Sequence, residues 1–281
     1  MARRLRIGAS SFDLSEQVVL VGILNVTPDS FSDGGLYLEP DRAVRRALEM
    51  ADEGADVIDV GGESTRPGSL PVATGEELGR VVPVIEAVRR RSDIPISIDT
   101  TKAEVARAAV DAGADMLNDT SGLTRDPEML NVLRHNKLPV IIMHSKGEPA
   151  KMQDDPRYDD LIGEISDFLR AGAEAALAAG APPGGVVVDP GIGFGKTAEH
   201  NLTILKRLPE LAALGYPLLV GPSRKSFIGA ALGLEVDQRL ESTLAAAAIA
   251  VANGASLVRL HDVKQGRRAV DLAAKIRGAS D

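Results

Sequence analysis

The chain has 281 residues, 44% of them hydrophobic, and carries a formal net charge of −8 at pH 7. This length suits one large α/β domain or two small ones, with enough apolar residues for a sizeable core. The acidic balance argues against nonspecific nucleic-acid binding. The absence of cysteine excludes disulfides, thiolate nucleophiles and cysteine zinc sites.

The first ten residues contain Arg3, Arg4 and Arg6, but no apolar stretch of signal-peptide length follows them. No apolar run in the chain approaches the length of a membrane span. We therefore expect a cytoplasmic protein without a membrane partner. Because the net charge is negative, an anionic substrate would need a local cluster of cations.

Short apolar runs alternate with alanine-rich amphipathic stretches along the chain, the pattern of a parallel sheet covered by helices. The predicted strands are residues 19–25, 57–60, 94–99, 115–118, 138–143, 185–189, 217–221 and 256–261. The predicted helices are residues 41–53, 76–90, 103–112, 127–135, 161–179, 201–214, 239–253 and 265–277. Eight such units in a chain close to ~250 residues predict a (β/α)₈ TIM barrel.

No low-complexity linker or composition shift divides the chain, so we interpret residues 1–281 as a single barrel domain. A doubly wound open sheet is the alternative, although nothing resembling GxGxxG follows the first strand. Residues 5–8 precede that strand and are expected to form a short N-terminal hairpin at the bottom of the barrel.

Polar side chains stand at the end of almost every predicted strand, where a barrel carries its catalytic groups. A single polar residue there is usually a helix cap, which is our interpretation of Asp119 and Thr120. Separate caps do not explain a set that combines amides, carboxylates and cations, so a shared site is favoured. The set is Asn25, Glu63, Ser64, Thr65, Asp99, Asn118, His144, Asp189, Ser223, Lys225, Arg259 and His261.

The stretch 186–196, VVVDPGIGFGK, joins an apolar run to a glycine-rich loop. Asp189 stands at the junction, where a buried carboxylate needs a partner. The three glycines of the loop let the backbone turn sharply and approach a ligand, which indicates the edge of a pocket. A simple β-turn is the alternative. A phosphate-binding P-loop is excluded because GxxxxGK[ST] needs glycine where the chain has Pro190.

The strand-end residues divide into two chemical sets. Donors and acceptors suited to the edge of a planar heterocycle come from Asp99, Asn118, Asp189 and Lys225. Groups suited to a phosphate or diphosphate come from Asn25, Ser64, Thr65, Arg66, Arg259 and His261. Taken singly, Arg66 as a surface arginine and His261 as a neutral core histidine are equally acceptable interpretations.

Two polar loops, residues 27–37 and 61–70, follow the first two strands, where lids over a barrel mouth are found. Phe31 and Phe194 lie in glycine-rich loops with little core around them. An aromatic ligand would explain both, and side chains folded back on the barrel are the alternative. His135 and His200, which fall in predicted helices, are interpreted as structural.

Short motifs stand in order along nearly the whole chain. They are NVTPDSFSDGG at 25–35, GGESTRPG at 61–68, SIDT at 97–100, ND at 118–119, MH at 143–144, MQ at 152–153, DPGIGFGK at 189–196, GPSRKSFIG at 221–229 and RLHDV at 259–263. Together they resemble the dihydropteroate synthases of folate biosynthesis, and the combination at this spacing is highly specific. Ser145 and Lys146 depart from the residues that many members carry there, which concerns the outer pterin pocket.

The resemblance implies a transferase that joins 4-aminobenzoate to 6-hydroxymethyl-7,8-dihydropterin diphosphate, giving 7,8-dihydropteroate and diphosphate. The pterin site that it implies is Asp99, Asn118, Met143, Asp189, Phe194, Lys225 and Arg259, with the last stacked on the pterin. The implied diphosphate site is Asn25, Thr65, Arg66, Arg259 and His261, with Asn25 also a ligand of Mg²⁺. The implied 4-aminobenzoate site, which sulfonamides also occupy in this family, is Phe31, Arg66, Pro67, Lys225 and Ser226, and Asp33 would order the first loop.

The chemistry agrees with this resemblance. An arylamine is unprotonated near neutral pH, so no strong general base is needed, and no Ser-His-Asp or Cys-His arrangement is apparent. Charge on the departing diphosphate and a cation at the pterin methylene carbon must both be stabilised, which suggests an SN1-like path. The expected catalytic residues are Asp99, Lys225, Arg259 and His261.

Two alternatives share the pterin-binding carboxylates: a corrinoid-type methyltransferase barrel and a noncatalytic paralogue. The first has no use for the STRP loop or for the pair Arg259 and His261, and the second is disfavoured by the intact motif residues. A purely structural barrel would not collect charges at one mouth. The resemblance also implies a homodimer, with the helix at 241–252 as a candidate contact, although its apolar surface equally suits internal burial.

Overall fold

The computed structural model describes residues 4–27, 39–64, 69, 71–147 and 151–279, and of residues 39 and 40 it describes the backbone alone. Within these ranges no helix combines the length and the apolar character that a membrane crossing requires. The strands are β1 (Arg4–Ile7), β2 (Ser10–Asp13), β3 (Val19–Asn25), β4 (Val57–Gly61), β5 (Ile96–Asp99), β6 (Met116–Asp119), β7 (Val140–Met143), β8 (Val186–Asp189), β9 (Leu219–Val220) and β10 (Leu257–Leu260).

Strands β3 to β10 form a parallel sheet in the order β8-β7-β6-β5-β4-β3-β10-β9. An isolated parallel bridge between Val188 and Leu218 joins the two ends of this order, and the Val188 amide donates to the Pro217 carbonyl at 2.9 Å. The sheet therefore closes into the eight-stranded barrel that the sequence predicts, and the open-sheet alternative is excluded. All eight predicted strands are confirmed to within a few residues.

Helices cover the outside of the barrel. They are α1 (Glu39–Asp52), α2 (Thr74–Arg89), α3 (Ala103–Asp111), α4 (Met129–Asn136), α5 (Leu161–Ala178), α6 (Ala198–Lys206), α7 (Leu208–Ala212), α8 (Ser226–Leu232), α9 (Leu240–Ala252) and α10 (Val263–Arg277), with a short 3₁₀ helix at Val236–Gln238.

The helices differ from the prediction in two places. The predicted helix 201–214 is two helices, because Pro209 has no amide hydrogen and cannot continue α6 into α7. The seven-residue helix α8 was not predicted from the sequence. It begins directly after Lys225 and ends at Gly233, whose φ of 68° stops the helix in the left-handed conformation.

Side chains at alternate strand positions face the barrel interior. At the N-terminal ends of the strands these positions are apolar and form one cluster with the hairpin β1–β2. The cluster contains Leu5, Ile7, Phe12, Leu14, Val19, Val21, Val57, Met116, Ile141, Val187, Leu219 and Leu257. The hairpin therefore closes the bottom of the barrel, as expected from residues 5–8.

Nearer the C-terminal ends, the interior positions become polar. The same alternation that places Val57 and Leu257 inside also places Asp59 and Arg259 inside, two residues further along β4 and β10. Outward-facing strand residues pack instead under the helices in a second, larger apolar cluster. The barrel thus has an apolar floor and a polar mouth.

Removal of one buried side chain from the hairpin will test the role of the floor. We expect Leu5→Ala to lower the free energy of unfolding by about 2 to 4 kcal/mol, because a buried side chain leaves a cavity. Turnover per folded molecule will stay unchanged, since the mouth lies at the other end of the strands. Urea unfolding and a steady-state assay measure the two quantities.

Arg6→Ala is the matched control, because Arg6 lies on the exposed face of the same strand. It will change the unfolding free energy by less than about 0.5 kcal/mol. Equal effects of the two substitutions would contradict a packed floor.

Candidate active site

The guanidinium of Arg259 lies between two carboxylates in the barrel mouth. Its Nε donates to Oδ2 of Asp59 at 2.6 Å, and its Nη2 donates to Oδ2 of Asp99 at 2.8 Å. The three side chains come from β10, β4 and β5. Since a buried charge is costly without a partner, this pairing allows the three charges to be buried together.

Asp59 is fully buried in the middle of β4 and was not among the predicted site residues. It also accepts a hydrogen bond from Nδ2 of Asn118 at 3.0 Å and one from the hydroxyl of Ser97. The predicted site residues lie at strand ends, whereas Asp59 lies inside a strand. Its signal in the sequence is a carboxylate inside the apolar run VIDV, at the same parity as the inward-facing Val57.

Asp99 and Asn118 are direct neighbours in the sheet, and both are buried. Burial raises the pKa of Asp99 to about 7, in spite of the Arg259 guanidinium beside it. The carboxyl group therefore titrates near neutral pH. The two side chains present one carboxyl and one amide to the same part of the mouth.

Asp189 lies across the mouth at the end of β8, beside Met143 of β7. Its Oδ1 accepts the amide of Gly191 at 2.7 Å. Burial raises the pKa of Asp189, while the positive charge of Lys225 acts in the opposite direction. The side chain is thus a buried carboxylate with a cation nearby, as the sequence required.

The glycine-rich loop after β8 folds tightly against the end of β7. Gly191 has a φ of 67°, and a Cβ there would lie 1.9 Å from the His144 carbonyl oxygen. At Gly195, with a φ of 63°, a Cβ would lie 2.2 Å from the Lys146 carbonyl oxygen. Only glycine fits either position. The loop is therefore a close backbone contact at the pocket edge, as predicted, and not a plain surface turn.

Lys225 and Phe194 pack against each other at this edge. The Lys225 Nζ lies 4.6 Å from the centre of the Phe194 ring and also donates to the Ile192 carbonyl. Burial lowers the pKa of Lys225 to about 8. Phe194 is half-buried and lines a cavity at the mouth together with Asp99, Thr100 and Thr120.

His261 and Asn25 form the anion side of the mouth. Ser223 Oγ and His261 Nδ1 are 2.8 Å apart, and Ser223 Oγ also accepts the His261 amide at 3.2 Å. Asn25 Nδ2 lies 3.5 Å from His261 Nε2. These contacts orient the imidazole and place it beside the amide of Asn25. Arg259 lies two residues earlier in the chain, on β10.

His144 stands apart from this set, contrary to its place in the predicted shared site. Its Nδ1 lies 2.9 Å from the Lys196 Nζ, and its ring packs edge-on against Phe168 of α5 with the centres 5.0 Å apart. Burial lowers the pKa of His144 to about 3. The alternation explains this position: Met143 faces inward, so the next residue faces the helices.

The remaining residues singled out from the sequence lie in turns and helices or outside the described ranges. Asp119 accepts the Ser121 amide at 2.7 Å in a local turn, and no helix begins there, so the helix cap expected for it is wrong. His135 and His200 lie in helices, as predicted. Ser226 is the exposed first residue of α8, next to Lys225. Five predicted residues lie outside the described ranges: Phe31, Asp33, Thr65, Arg66 and Pro67.

The mouth thus combines acceptors for N–H groups with cations for an anion. A planar heterocycle with several N–H groups fits Asp99, Asn118 and Asp189, and an anionic group fits the side of Arg259 and His261. The two halves share Arg259. A substrate that carries both a heterocycle and an anion matches this division.

Comparisons with known proteins agree with this chemistry. The chain matches the family described as "Pterin binding enzyme" over residues 21–261. It is 51% identical over 261 residues to the dihydropteroate synthase of Synechocystis sp., with 92% of this chain and 90% of the relative covered.

Two solved structures extend the comparison. The Yersinia pestis dihydropteroate synthase, in complex with a sulfonamide drug, has a TM-score of 0.91 and 43% identity, with 98% of this chain and 100% of that chain covered. The Xanthomonas albilineans enzyme in complex with 7,8-dihydropteroate has a TM-score of 0.88 and 40% identity, with 99% and 100% covered. The chain therefore belongs to the pterin-binding enzymes and, among them, to the dihydropteroate synthase family.

Proposed function

We propose that this chain condenses 4-aminobenzoate with 6-hydroxymethyl-7,8-dihydropterin diphosphate, giving 7,8-dihydropteroate and diphosphate in folate biosynthesis. The observation that carries the proposal is the buried polar mouth, in which Arg259 joins the heterocycle side to the anion side. Relatives of this family include an enzyme solved with 7,8-dihydropteroate. The activity is that of a transferase.

The pterin is proposed to bind among the buried acceptors. Asp189 would accept two adjacent N–H groups of the pterin, as carboxylates do with amidine-like edges. Asp99 and Asn118 would bind the opposite edge, and Lys225 would donate to a ring acceptor. Met143, Phe194 and Arg259 would supply the faces against which the ring packs.

The diphosphate is proposed to lie on the other side of Arg259. The Arg259 guanidinium and the His261 imidazole would bind its oxygens, since both groups already face the mouth. Thr65 and Arg66 would complete this site from the following loop. These donors would stabilise the charge that develops on the leaving group.

Mg²⁺ is proposed as the metal of this reaction, with Asn25 as its protein ligand. Among the described residues, no group of three or more His, Cys, Asp or Glu side chains could hold a metal ion. One amide oxygen nevertheless fits Mg²⁺, which commonly uses few protein ligands and binds substrate phosphates. Because Asn25 turns its Nδ2 towards His261, its oxygen is directed elsewhere. Bound Mg²⁺ would neutralise charge on the diphosphate.

4-Aminobenzoate is proposed to enter beside Lys225 at the start of α8. Lys225 and the exposed Ser226 are the described residues of this pocket, and Phe31, Arg66 and Pro67 would enclose it. Sulfonamides are proposed to occupy the same place. The Yersinia pestis relative has been solved in complex with a sulfonamide drug.

The mechanism follows from where charge develops. As the C–O bond to the diphosphate breaks, positive charge grows at the pterin methylene carbon and negative charge grows on the leaving group. Ionised Asp99 would stabilise the first, while Arg259 and His261 would stabilise the second. The unprotonated arylamine would then attack the carbon, and the arylammonium that forms would lose a proton to water or to the released diphosphate, with no strong general base needed. We propose this SN1-like order.

Residues 1–281 are proposed to act as one pterin-binding barrel domain, and the cytoplasmic location stays a prediction. A homodimer is also proposed, through the outer face of α9 and α10. Ile249, Leu272 and Ile276 are each more than half exposed on these two helices, which pack against each other. Clustered exposed apolar side chains indicate a protein contact.

A product assay tests the reaction. We expect dihydropteroate, followed by chromatography, only when both substrates and Mg²⁺ are present, and none in excess EDTA. Asp189→Asn will lower kcat/KM by about 100-fold, because the pterin N–H groups lose a charged acceptor.

Asp167→Asn is the matched control, since Asp167 is an exposed carboxylate on α5, and it will keep wild-type activity. Tight pterin binding with no product would indicate a noncatalytic paralogue. Absence of any pterin binding would reject the proposed site.

The pH dependence of kcat/KM tests the two shifted groups. Activity will fall below pH 7 as Asp99 takes up a proton and loses its charge, because burial raises its pKa to about 7. It will fall again above pH 8 as Lys225 loses its proton, because burial lowers its pKa to about 8. The profile of log kcat/KM will therefore be bell-shaped, with a narrow maximum between these values.

Two variants assign the limbs of this profile. Asp99→Asn will flatten the acidic limb, leaving only titration of the substrate's own phosphate. Lys225→Arg will move the alkaline limb out of the measured range, because arginine stays charged. A profile that keeps both limbs in these variants would refute the assignment.

Light scattering tests the homodimer. The wild-type chain will have twice the monomer mass, and Ile249→Glu will shift it to the monomer because a charge is placed in the apolar contact. Arg107→Glu, at an exposed position of α3 on the other side of the barrel, will leave the mass unchanged. A monomeric wild-type protein would reject the contact.

A further inference from the structure

Asp59 has no role in the substrate contacts proposed above, although it lies at the centre of the polar interior. Three donors converge on its carboxylate: Arg259 Nε at 2.6 Å, Asn118 Nδ2 at 3.0 Å and the Ser97 hydroxyl. It is fully buried, one interior position below the end of β4. We propose that Asp59 is a positioning residue that fixes Arg259 and Asn118 before the substrate binds. This inference rests on the roles proposed above for those two residues.

The first effect concerns the plane of the Arg259 guanidinium. A guanidinium is planar, so two hydrogen bonds at different nitrogens define its orientation. Asp59 holds Nε and Asp99 holds Nη2, from two adjacent strands of the barrel. No acceptor among the described residues bonds to Nη1. Asp59 therefore directs the remaining donors of Arg259 to the mouth, where the diphosphate is proposed to lie.

The second effect concerns which way the Asn118 amide points. The two ends of an amide have nearly the same shape, so hydrogen-bond partners decide between the two orientations. An ionised carboxylate only accepts, and the Asp59 oxygen therefore requires Nδ2 of Asn118 towards it. The carbonyl oxygen of Asn118 is left as an acceptor for a pterin N–H group.

Removal of the Asp59 charge would affect both neighbours at once. An asparagine at this position has the same shape, but its NH₂ group would face donors, and its single oxygen cannot serve three of them. The Arg259 guanidinium would keep only its hydrogen bond to Asp99, and the Asn118 amide would no longer be held in one orientation. We expect losses in both turnover and pterin affinity, although Asp59 touches neither substrate.

The test compares Asp59→Asn with Ser97→Ala. The serine substitution removes one donor to Asp59 but leaves the bonds to Arg259 and Asn118, so it is the matched control. Asp59→Asn should lower kcat by about 100-fold and weaken binding of 6-hydroxymethyl-7,8-dihydropterin by about tenfold. Ser97→Ala should stay within about threefold of wild type in both. A kcat for Asp59→Asn within about threefold of wild type would overturn the inference.

A double-mutant cycle separates positioning from a general structural effect. If Asp59 acts on turnover through Arg259, the double variant Asp59→Asn/Arg259→Gln should have the same kcat as Arg259→Gln alone, within about threefold. This comparison is informative even where Asp59→Asn alone folds poorly, because the double variant carries no unpaired Arg259 charge. A further hundredfold loss in the double variant would contradict action through Arg259.

The same data separate failure of this inference from failure of the proposed function. Product formation by wild type and its loss in Arg259→Gln support the proposed function by themselves. If both results are obtained while Asp59→Asn keeps the wild-type kcat, only the positioning role of Asp59 is rejected. If Arg259→Gln keeps wild-type kcat, the proposed role of Arg259 falls, and the inference falls with it.

Discussion

The site depends on one buried arrangement of charge, a guanidinium held between two carboxylates inside the barrel. Arg259 alone, or either Asp59 or Asp99 alone, would be too costly to bury there. Together they can be buried. Burial raises the pKa of Asp99 to about 7, and the negative charge of Asp59 acts in the same direction. The mouth thus holds a carboxyl group whose pKa lies near neutral pH, as is common at functional sites.

The eight-stranded barrel makes this arrangement possible by the simple alternation of its strands. Four strands, β4, β6, β8 and β10, each contribute an apolar residue to the floor and, two positions later, a polar residue to the mouth. The hairpin β1–β2 seals the floor with Leu5 and Ile7, so the polar groups can occupy the other end without leaving the core unfilled. Stability and function are separated along the barrel axis, as in other barrels of this kind.

The glycine-rich loop sets the opposite wall of the mouth. Because Gly191 and Gly195 have no side chains, the backbone of this loop lies directly against the residues that follow β7. That close approach brings Phe194 under Lys225 and leaves Asp189 facing Arg259 across the barrel. Lys196, the last residue of the motif, is buried behind the loop and donates to the Phe194 carbonyl at 3.0 Å, which supports the loop from outside the mouth.

The sequence by itself determined the barrel, its eight strands, the hairpin and the strand-end residues Asp99, Asn118, Asp189 and Arg259, because apolar alternation and strand-end polarity are local patterns. It also indicated the family, because the motifs are contiguous. Only the tertiary structure revealed Asp59 as the partner of Arg259, separated from it by 200 positions. Only the structure also showed that His144 lies outside the mouth, against Lys196 and Phe168. Both depend on which face of a strand a side chain occupies and on what lies across the barrel. The face follows from the alternation along a strand, which the sequence contains, but the partner across the barrel follows from closure, which no local pattern contains.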